Sequence, residues 1–282
     1  MKRLLGVAQI DPVLGDVPAN VALHVEYARR AHASGATLVV FPELSLTGYS
    51  VKDLTWDHAF RVGNPPEALR PLLEVSKTIP VIAGAVEEDE TFRIYNSALL
   101  FQDGKITTLH RKLYPPTYGM FEELRYFSPG SELRAHRTTF GSLGVLICED
   151  LWHLPLPYVL AQKGATVIIA LAASPTRLAG TADVPSIQAI NGEHHRTYAR
   201  LLSTHIAFCN RVGYEDGVNF WGGSSVTGPD GATITSAPVF AEHLLIAPLD
   251  DEEVRRARRF SRHFLDDDPE FVRKSLARDD FR

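Results

Sequence analysis

The pattern that most restricts the fold is an alternation of short apolar runs with segments of helical periodicity. The apolar runs have β-strand length and include RLLGVAQID, ATLVVFPE, PVIAGAVEED, FGSLGVLICED, ATVIIALAAS and IAFCNRVGY. Segments with apolar residues at the spacing of one helix face separate several of them: NVALHVEYARRAHASG, PEALRPLLEVSKT and SIQAINGEHHRTYARLLSTH. Strands and helices that alternate along a continuous chain indicate a single α/β domain with helices outside a sheet core.

Turn signals refine this pattern. Asp103-Gly104 and Asp230-Gly231 lie between apolar runs, where Asp-Gly predicts hairpin turns. A helix is expected within WHLPLPYVLAQKG, beginning after its prolines. We place the α/β domain at residues 1–250, and a highly charged arm at residues 251–282 follows it. A solvated arm and an arm that crosses onto a partner subunit are both compatible with this composition, and we expect the subunit interface.

The overall composition is that of an ordinary soluble protein. The chain has 282 residues, 45% hydrophobic and 22% charged, and a formal net charge of -5. So small a net negative charge argues against nucleic acid or an anionic membrane as partner. The start MKRLLGVAQIDP becomes polar before a signal-peptide core could form, and no apolar stretch reaches the roughly 20 residues that span a bilayer. We therefore expect a cytoplasmic protein.

Cysteine and histidine spacing argues against a metal site. Cys148 and Cys209 are the two cysteines, which is no disulfide framework and is typical of a reducing compartment. His194 and His195 are adjacent and so point to different helix faces, and neither CxxC nor HExxH occurs. We expect no metal and no cofactor.

Three loops that follow apolar runs carry reactive side chains. Glu43 follows LVVFP, Lys112 comes just after ITTLHR with Glu123 a little beyond, and Cys148 ends GVLIC. Functional groups of α/β proteins gather at the carboxyl ends of strands, so these side chains are expected in one pocket. Cys148 alone could be an inert packing residue, and the adjacent carboxylates Glu149 and Asp150 would hinder its ionisation. In one pocket, Glu43 could take the thiol proton while Lys112 offsets the negative charge.

These motifs resemble the nitrilase superfamily of carbon–nitrogen hydrolases, which is defined by a Glu-Lys-Cys triad in this chain order. The matching stretches are FPELSLTGY, HRKLYPPTYGMFEELRYFSPG and GVLICEDLWHLPLPYVLAQKGATVII. YGMFEELRYF, CEDLW, AASP and NRVGYEDGVNFWGGSSVTGPDG are most similar to the glutamine-hydrolysing domain of glutamine-dependent NAD synthetases. The Ser-Gly-Gly pyrophosphate loop of the synthetase domain does not occur in this sequence, so we expect no NAD synthesis from this stretch alone.

The resemblance implies a four-layer α-β-β-α sandwich, with the triad at one end of two packed sheets, and a homodimer or larger assembly. It implies that Cys148 is the nucleophile that forms a thioester, Glu43 the acid-base group and Lys112 the cation that stabilises the oxyanion. Glu123, rather than its neighbour Glu122, would orient the lysine and the attacking water. The backbone N–H of Glu149 would help to hold the oxyanion.

Other residues are given less direct roles. The carboxylates of Glu149 and Asp150 are expected to turn away from the thiol and to bind backbone N–H groups at the start of the following helix. Cys209 is expected in the core, and Arg111 in a structural role. The resemblance places five side chains on the wall of the substrate pocket: Tyr118, Phe121, Trp152, Ser174 and Trp221.

The expected activity is that of an amidase that releases ammonia from a small amide. Glutamine is a doubtful substrate, because Arg177 lies at a different offset after Ser-Pro from the basic residues of glutaminase domains. Nitriles are disfavoured because Glu149 replaces the tryptophan that usually follows the cysteine in nitrile-cleaving members, and N-carbamoyl compounds are a further alternative. The chain could also be an ammonia-supplying subunit of a separate synthetase, or an inactive scaffold.

Overall fold

The computed structural model describes residues 2–176 and 184–277 of the chain. The strands are β1 (Lys2–Gln9), β2 (Leu38–Val40), β3 (Val81–Glu88), β4 (Ile94–Gln102), β5 (Lys105–Arg111), β6 (Ala135–Thr138), β7 (Gly141–Ile147), β8 (Val167–Ala172), β9 (His205–Asn210), β10 (Val212–Glu215), β11 (Val218–Trp221), β12 (Ser225–Thr227), β13 (Thr233–Ser236) and β14 (His243–Asp250). The α-helices are α1 (Val17–Ala33), α2 (Thr55–His58), α3 (Arg70–Val75), α4 (Pro155–Gln162), α5 (Val184–Leu202), α6 (Asp251–Phe260), α7 (His263–Asp266) and α8 (Pro269–Leu276). None of the described helices combines the length and apolar character needed to cross a bilayer.

Two six-stranded sheets form the centre of the molecule. Their strand orders are β14-β1-β2-β3-β4-β5 and β13-β12-β9-β8-β7-β6. In each sheet three neighbouring strands are parallel, β1-β2-β3 in one and β7-β8-β9 in the other, and antiparallel strands flank them. The parallel strands are nearly continuous apolar runs because both of their faces are covered.

Three apolar clusters account for the layers. One fills the space between the sheets and contains Val7 and Ile82 from the first sheet and Ile169 from the second. Another packs α1 and α3 on the outer face of the first sheet, and a third packs α4 and α5 on the outer face of the second. The architecture is the four-layer α-β-β-α sandwich that the resemblance implied. Cys209 is fully buried in the cluster between the sheets, as expected.

Two elements differ from the sequence expectation. Helix α4 begins at Pro155 rather than after its prolines, because a proline in the first turn removes no helical hydrogen bond. The run IAFCNRVGY was expected as one strand. It divides at Arg211 into β9 and β10, and the buried Arg211 guanidinium binds the carboxylates of Glu215 and Asp11.

The charged arm contains α6, α7 and α8. It is less solvated than its composition indicates, because Val254 and Phe264 are buried against the domain and the Arg258 guanidinium lies over the Phe264 ring. Phe260 and Leu276 of the same arm are strongly exposed. Residues 278–282 lie outside the described part of the chain.

Candidate active site

Glu43 lies just beyond the carboxyl end of β2, in a loop that rests on β3. The loop comes so close to Gly84 that a Cβ there would lie 2.2 Å from the Leu44 nitrogen, and Leu44 itself has a φ of 47°. Glu43 is buried, and its Oε1 accepts hydrogen bonds from Lys112 Nζ at 2.7 Å and Asn96 Nδ2 at 2.8 Å. Its Oε2 accepts from the Ala173 backbone N–H at 2.9 Å. These bonds hold the carboxylate in a fixed orientation.

Lys112 is the first residue after β5 and is buried to 1% exposure. Its Nζ donates to Glu43 Oε1 and to Glu123 Oε1, both at 2.7 Å. Burial alone would lower the pKa of this ammonium, but the charges of Glu123 and Glu43 raise it well above its ordinary value. Lys112 is therefore a permanent cation, as a group that stabilises an oxyanion must be.

Glu123 begins a short 3₁₀ segment, Glu123–Arg125, and is buried, whereas its neighbour Glu122 is exposed. Its Oε1 accepts from Lys112 Nζ and from the Tyr49 hydroxyl at 2.6 Å. Its Oε2 is buried without a hydrogen-bond partner among the described residues. Burial raises the pKa of Glu123 to about 7, the Glu43 charge adds to the rise, and Lys112 opposes it. A proton on Oε2 would neutralise this uncompensated oxygen.

Cys148 stands at the end of β7 and opens a 3₁₀ segment, Cys148–Trp152. Its φ of 46° is the left-handed conformation that non-glycine residues rarely adopt, and such strained turns from strand to helix expose nucleophiles in other hydrolases. Burial raises the pKa of the thiol, and the Glu43 and Glu123 charges raise it further, while Lys112 and the Ala173 N–H lower it. The resting group is therefore a thiol that needs a base.

The carboxylate of Asp150 connects the cysteine turn to the lysine loop. Asp150 is fully buried, and it accepts from the backbone N–H of Ile147 at 3.1 Å and of Leu113 and Tyr114 at 3.0 Å each. It also binds His110 Nε2 at 2.7 Å. The expectation that it turns away from the thiol onto backbone N–H groups holds, but two of these groups belong to the loop after Lys112 rather than to a helix start.

The same expectation is wrong for Glu149. Its carboxylate accepts the Tyr118 hydroxyl at 2.7 Å instead of capping a helix, and Glu149 lines the cavity into which Cys148 opens. Successive side chains of a 3₁₀ turn point about 120° apart, so two adjacent carboxylates can face different parts of the molecule. Asp150 faces the protein interior and Glu149 faces the cavity.

The cavity in front of Cys148, here called the main cavity, has a volume of about 440 Å³. Of the five side chains expected on its wall, four line it: Tyr118, Phe121, Trp152 and Ser174. Trp221 does not. It is buried, and its Nε1 donates to Ser174 Oγ at 3.1 Å, so it supports Ser174 from behind. Met120, Pro175 and Ile187 also line the cavity and were not anticipated.

Three further groups of the site were missed from the sequence. Asn96 and the Ala173 N–H donate hydrogen bonds to the Glu43 carboxylate, and the Tyr49 hydroxyl donates one to Glu123. Tyr49 ends the motif FPELSLTGY and could have been noticed there, whereas a backbone N–H leaves no signal in a sequence. Arg177 lies outside the described residues. Within the described ranges, no group of three or more His, Cys, Asp or Glu side chains is arranged to hold a metal ion.

Two stacked sheets with Glu43, Lys112 and Cys148 together at their edge are typical of carbon–nitrogen hydrolases, and comparison with known proteins gives the same class. Residues 4–259 match the carbon–nitrogen hydrolase family, and the chain belongs to this family, within the nitrilase superfamily. The structure superimposes on a carbon–nitrogen hydrolase from Helicobacter pylori G27 with a TM-score of 0.87 and 25% identity, covering 99% of each chain.

More specific similarity is to glutamine-dependent NAD(+) synthetases. The protein of that name from Thermotoga maritima is 34% identical over 264 residues, covering 90% of this chain and 44% of the relative. The one from Acinetobacter baylyi is 32% identical over 256 residues, covering 89% of this chain and 45% of the relative. The Acinetobacter baumannii enzyme structure matches with a TM-score of 0.80 and 31% identity over 90% of this chain and 47% of that one. The chain thus spans about half the length of these relatives.

Proposed function

We propose that the protein is a thiol-dependent amidase that hydrolyses a small amide and releases ammonia. One observation supports this most strongly: the Lys112 ammonium lies between two buried carboxylates, 2.7 Å from each, beside a cysteine that opens onto the main cavity. A base, a cation and a nucleophile in one place is what acyl transfer through a thioester requires.

In this mechanism the Cys148 sulfur attacks the amide carbonyl carbon as its proton passes to Glu43. The Lys112 ammonium and the Glu149 backbone N–H stabilise the oxyanion that forms. The C–N bond then breaks, and Glu43 returns the proton to the departing ammonia. Water attacks the thioester carbonyl carbon, and Glu43 takes a proton from it. The C–S bond breaks, Glu43 passes the proton to the sulfur, and a carboxylic acid is released.

The main cavity favours a substrate that carries a hydrogen-bond donor or a positive charge. Its described wall is largely apolar and aromatic, with Tyr118, Phe121 and Trp152 on it, and Glu149 is the one formally charged residue among the described lining residues. A carboxylate beside apolar surface would attract an ammonium or amide group and repel a carboxylate. We therefore propose an amide that carries a positive charge or a hydrogen-bond donor and places no carboxylate against Glu149.

A second candidate function is supply of ammonia to a separate synthetase. The similarity to part of the glutamine-dependent NAD(+) synthetases favours it. Ammonia release that stays slow alone and increases when a candidate synthetase is added would support this function. Full activity of the isolated chain would exclude the need for such a partner.

Assembly is proposed to involve the charged arm. Three large apolar side chains of this arm are exposed: Phe260 to 96%, Phe271 to 66% and Leu276 to 78%. So much exposed apolar surface is typical of an interface rather than of a solvated arm. A second copy of the chain covering this face would give the expected homodimer. A cytoplasmic location is proposed because Cys148 and Cys209 are both free thiols.

A colorimetric ammonia screen over amides, ω-amides, nitriles and carbamoyl amino acids tests the proposal, with aminoamides expected as the best group. Cys148→Ala should abolish release, and Cys209→Ala is the matched control that should keep it, because Cys209 lies in the core between the sheets. During turnover, mass spectrometry should find an acyl group on Cys148. No ammonia from any compound, or equal activity of Cys148→Ala, would refute the amidase.

A further inference from the structure

A second, smaller cavity lies behind the nucleophile. It has a volume of about 20 Å³ and is here called the inner cavity. Cys148, Trp152 and Ser174 line both cavities. The remaining wall of the inner cavity comes from helix α5, strand β9 and the cysteine turn: Leu151, Asn191, His194, His195 and Phe208.

The inner cavity contains an uncompensated polar atom. His195 is 2% exposed, and its Nε2 has no hydrogen-bond partner among the described residues. Burial, with the charges of His194 and Arg196, lowers the pKa of His195 to about 3, so the ring is neutral near pH 7. A buried polar atom without a partner is costly, and native proteins usually satisfy it with a bound molecule when the protein offers none.

Asn191 adds hydrogen-bonding capacity on the same wall. It is 6% exposed and uses one amide N–H on the Ile187 carbonyl at 2.9 Å. An amide has a second N–H and an acceptor oxygen, so Asn191 can bind a further molecule as donor and as acceptor. The Cys148 sulfur and Ser174 complete a set of polar groups around the cavity.

The size of the inner cavity selects the ligand. A single bound water requires roughly 10–15 Å³ of cavity volume and two to four polar partners. The inner cavity meets both conditions and is too small for an organic substrate. A molecule held in it would lie against the reacting sulfur.

We propose that the inner cavity binds one water-sized molecule that both donates and accepts hydrogen bonds, held by His195 and Asn191, and that this site exchanges water and ammonia with the thioester. The inference rests on the proposed amidase function. His195 acts as a positioning residue, because it touches the small molecule rather than the substrate. In the deacylation step a water supplied from this site gives one proton to Glu43, and its oxygen bonds to the acyl carbon. The C–S bond breaks, and Glu43 passes the proton to the sulfur, which restores the thiol.

The kinetic test uses p-nitrophenyl acetate, whose burst of p-nitrophenolate reports acylation of Cys148 and whose steady state reports deacylation. His195→Phe removes Nε2 and should slow the steady state about tenfold while the burst rate is unchanged, as expected for one lost hydrogen bond. His195→Gln restores a polar group and should recover most of the rate. Asn191→Leu should act in the same direction as His195→Phe, and keeps the test open if His195→Phe does not fold.

Added ammonium chloride distinguishes the two ligands. If the site also takes ammonia, acetamide formation should saturate with ammonia in the wild type and become linear in His195→Phe. If it takes water alone, acetamide formation is linear in both proteins, and the ammonia part of the proposal is overturned.

The proposal and the amidase function can fail separately. No release of p-nitrophenolate above the rate of Cys148→Ala would refute the amidase, and a high-resolution crystal structure would still show whether density lies within hydrogen-bonding distance of His195 Nε2. A normal burst with identical steady-state rates in His195→Phe and the wild type, together with a higher melting temperature of the variant, would overturn the inner-cavity site. The higher melting temperature would mean that the substitution had only relieved an unsatisfied nitrogen.

Discussion

Replacing Asp150 tests whether one buried carboxylate holds the cysteine turn and the lysine loop together. Asp150→Ala leaves four donors without their acceptor: the N–H groups of Ile147, Leu113 and Tyr114, and His110 Nε2. The bonds of Ile147 and His110 are buried, and each unpaired group costs about 1–3 kcal/mol. The bonds of Leu113 and Tyr114 are partly buried, so water can replace the lost acceptor there and the energetic cost is smaller. The free energy of unfolding should fall by about 4 kcal/mol, a large share of the roughly 5–15 kcal/mol typical of a domain.

Asp150→Asn keeps the shape of the side chain and changes only the number of hydrogen bonds that it can accept. The amide keeps an acceptor oxygen but turns an NH₂ group toward the Ile147 N–H, so about half of the loss, near 2 kcal/mol, is expected. Urea denaturation measures both changes, and the rate of Cys148 alkylation by iodoacetamide reports whether the turn has moved. Asp16→Ala is a matched control, because Asp16 caps α1 through a single bond to the Ala19 N–H and should cost about 1 kcal/mol. A loss below about 1 kcal/mol in Asp150→Ala, with unchanged alkylation, would refute the reasoning.

Three further predictions concern buried groups. The pKa of Glu123 is raised to about 7 by burial, so the folded protein keeps a proton that the unfolded chain releases near pH 4.5, and the free energy of unfolding should decrease as pH rises from about 4.5 to 7, by on the order of 3 kcal/mol. Glu123→Gln should lack this decrease in urea titrations. The pKa of His24 is lowered to about 4 by burial. Its contribution to the free energy of unfolding is therefore complete above pH 6.5 and is lost as pH falls toward 4, and His24→Gln should reduce this loss of stability in acid. Tyr49→Phe removes the hydroxyl bound to Glu123 and should lower kcat about tenfold with little change in KM.

Each of these three predictions has an outcome that would contradict it. Parallel pH–stability curves for Glu123→Gln and the wild type would show that Glu123 has no raised pKa. An unchanged acid limb in His24→Gln would show that this histidine does not limit acid stability. Wild-type kcat in Tyr49→Phe would show that the hydroxyl does not position Glu123.

The positions of Glu43, Lys112 and Cys148 could be predicted because they depend on local sequence signals, whereas the four layers followed only from the resemblance to the nitrilase superfamily. Strand ends are readable from apolar runs, and Glu43, Lys112 and Cys148 each follow such a run directly. Strands β2 and β5 run in the same direction in the first sheet, because two antiparallel pairings separate β3 from β5, so their carboxyl ends lie at one edge. Glu123 was separated from Glu122 by its spacing within a motif, and the structure agrees, since Glu123 is buried on the lysine and Glu122 is exposed.

Side-chain direction within irregular segments could not be predicted. Glu149 and Asp150 were given the same role because they are adjacent in an acidic pair before a helix. The left-handed backbone at Cys148 and the 3₁₀ turn that follows change the phase of the side chains, and neither feature has a sequence signature as clear as a glycine. Trp221 was misplaced for a similar reason, because whether an aromatic ring faces a cavity or supports the residue that does is decided by packing across the two sheets.

The charge balance of the site would allow Cys148 to act as the proposed nucleophile although several carboxylates lie near it. With a proton on Glu123, the Glu43 carboxylate and the Lys112 ammonium cancel, and the thiol stands next to a neutral set of groups. Transfer of its proton to Glu43 then leaves the thiolate as the one anion beside Lys112, the arrangement in which that ammonium stabilises it best. Loss of the Glu123 proton would add a negative charge that opposes this transfer, and the pKa of about 7 places that loss close to neutral pH. In the proposed mechanism, Glu123 Oε2, which is buried without a partner among the described residues, is therefore the atom through which this glutamate would control the ionisation of Cys148.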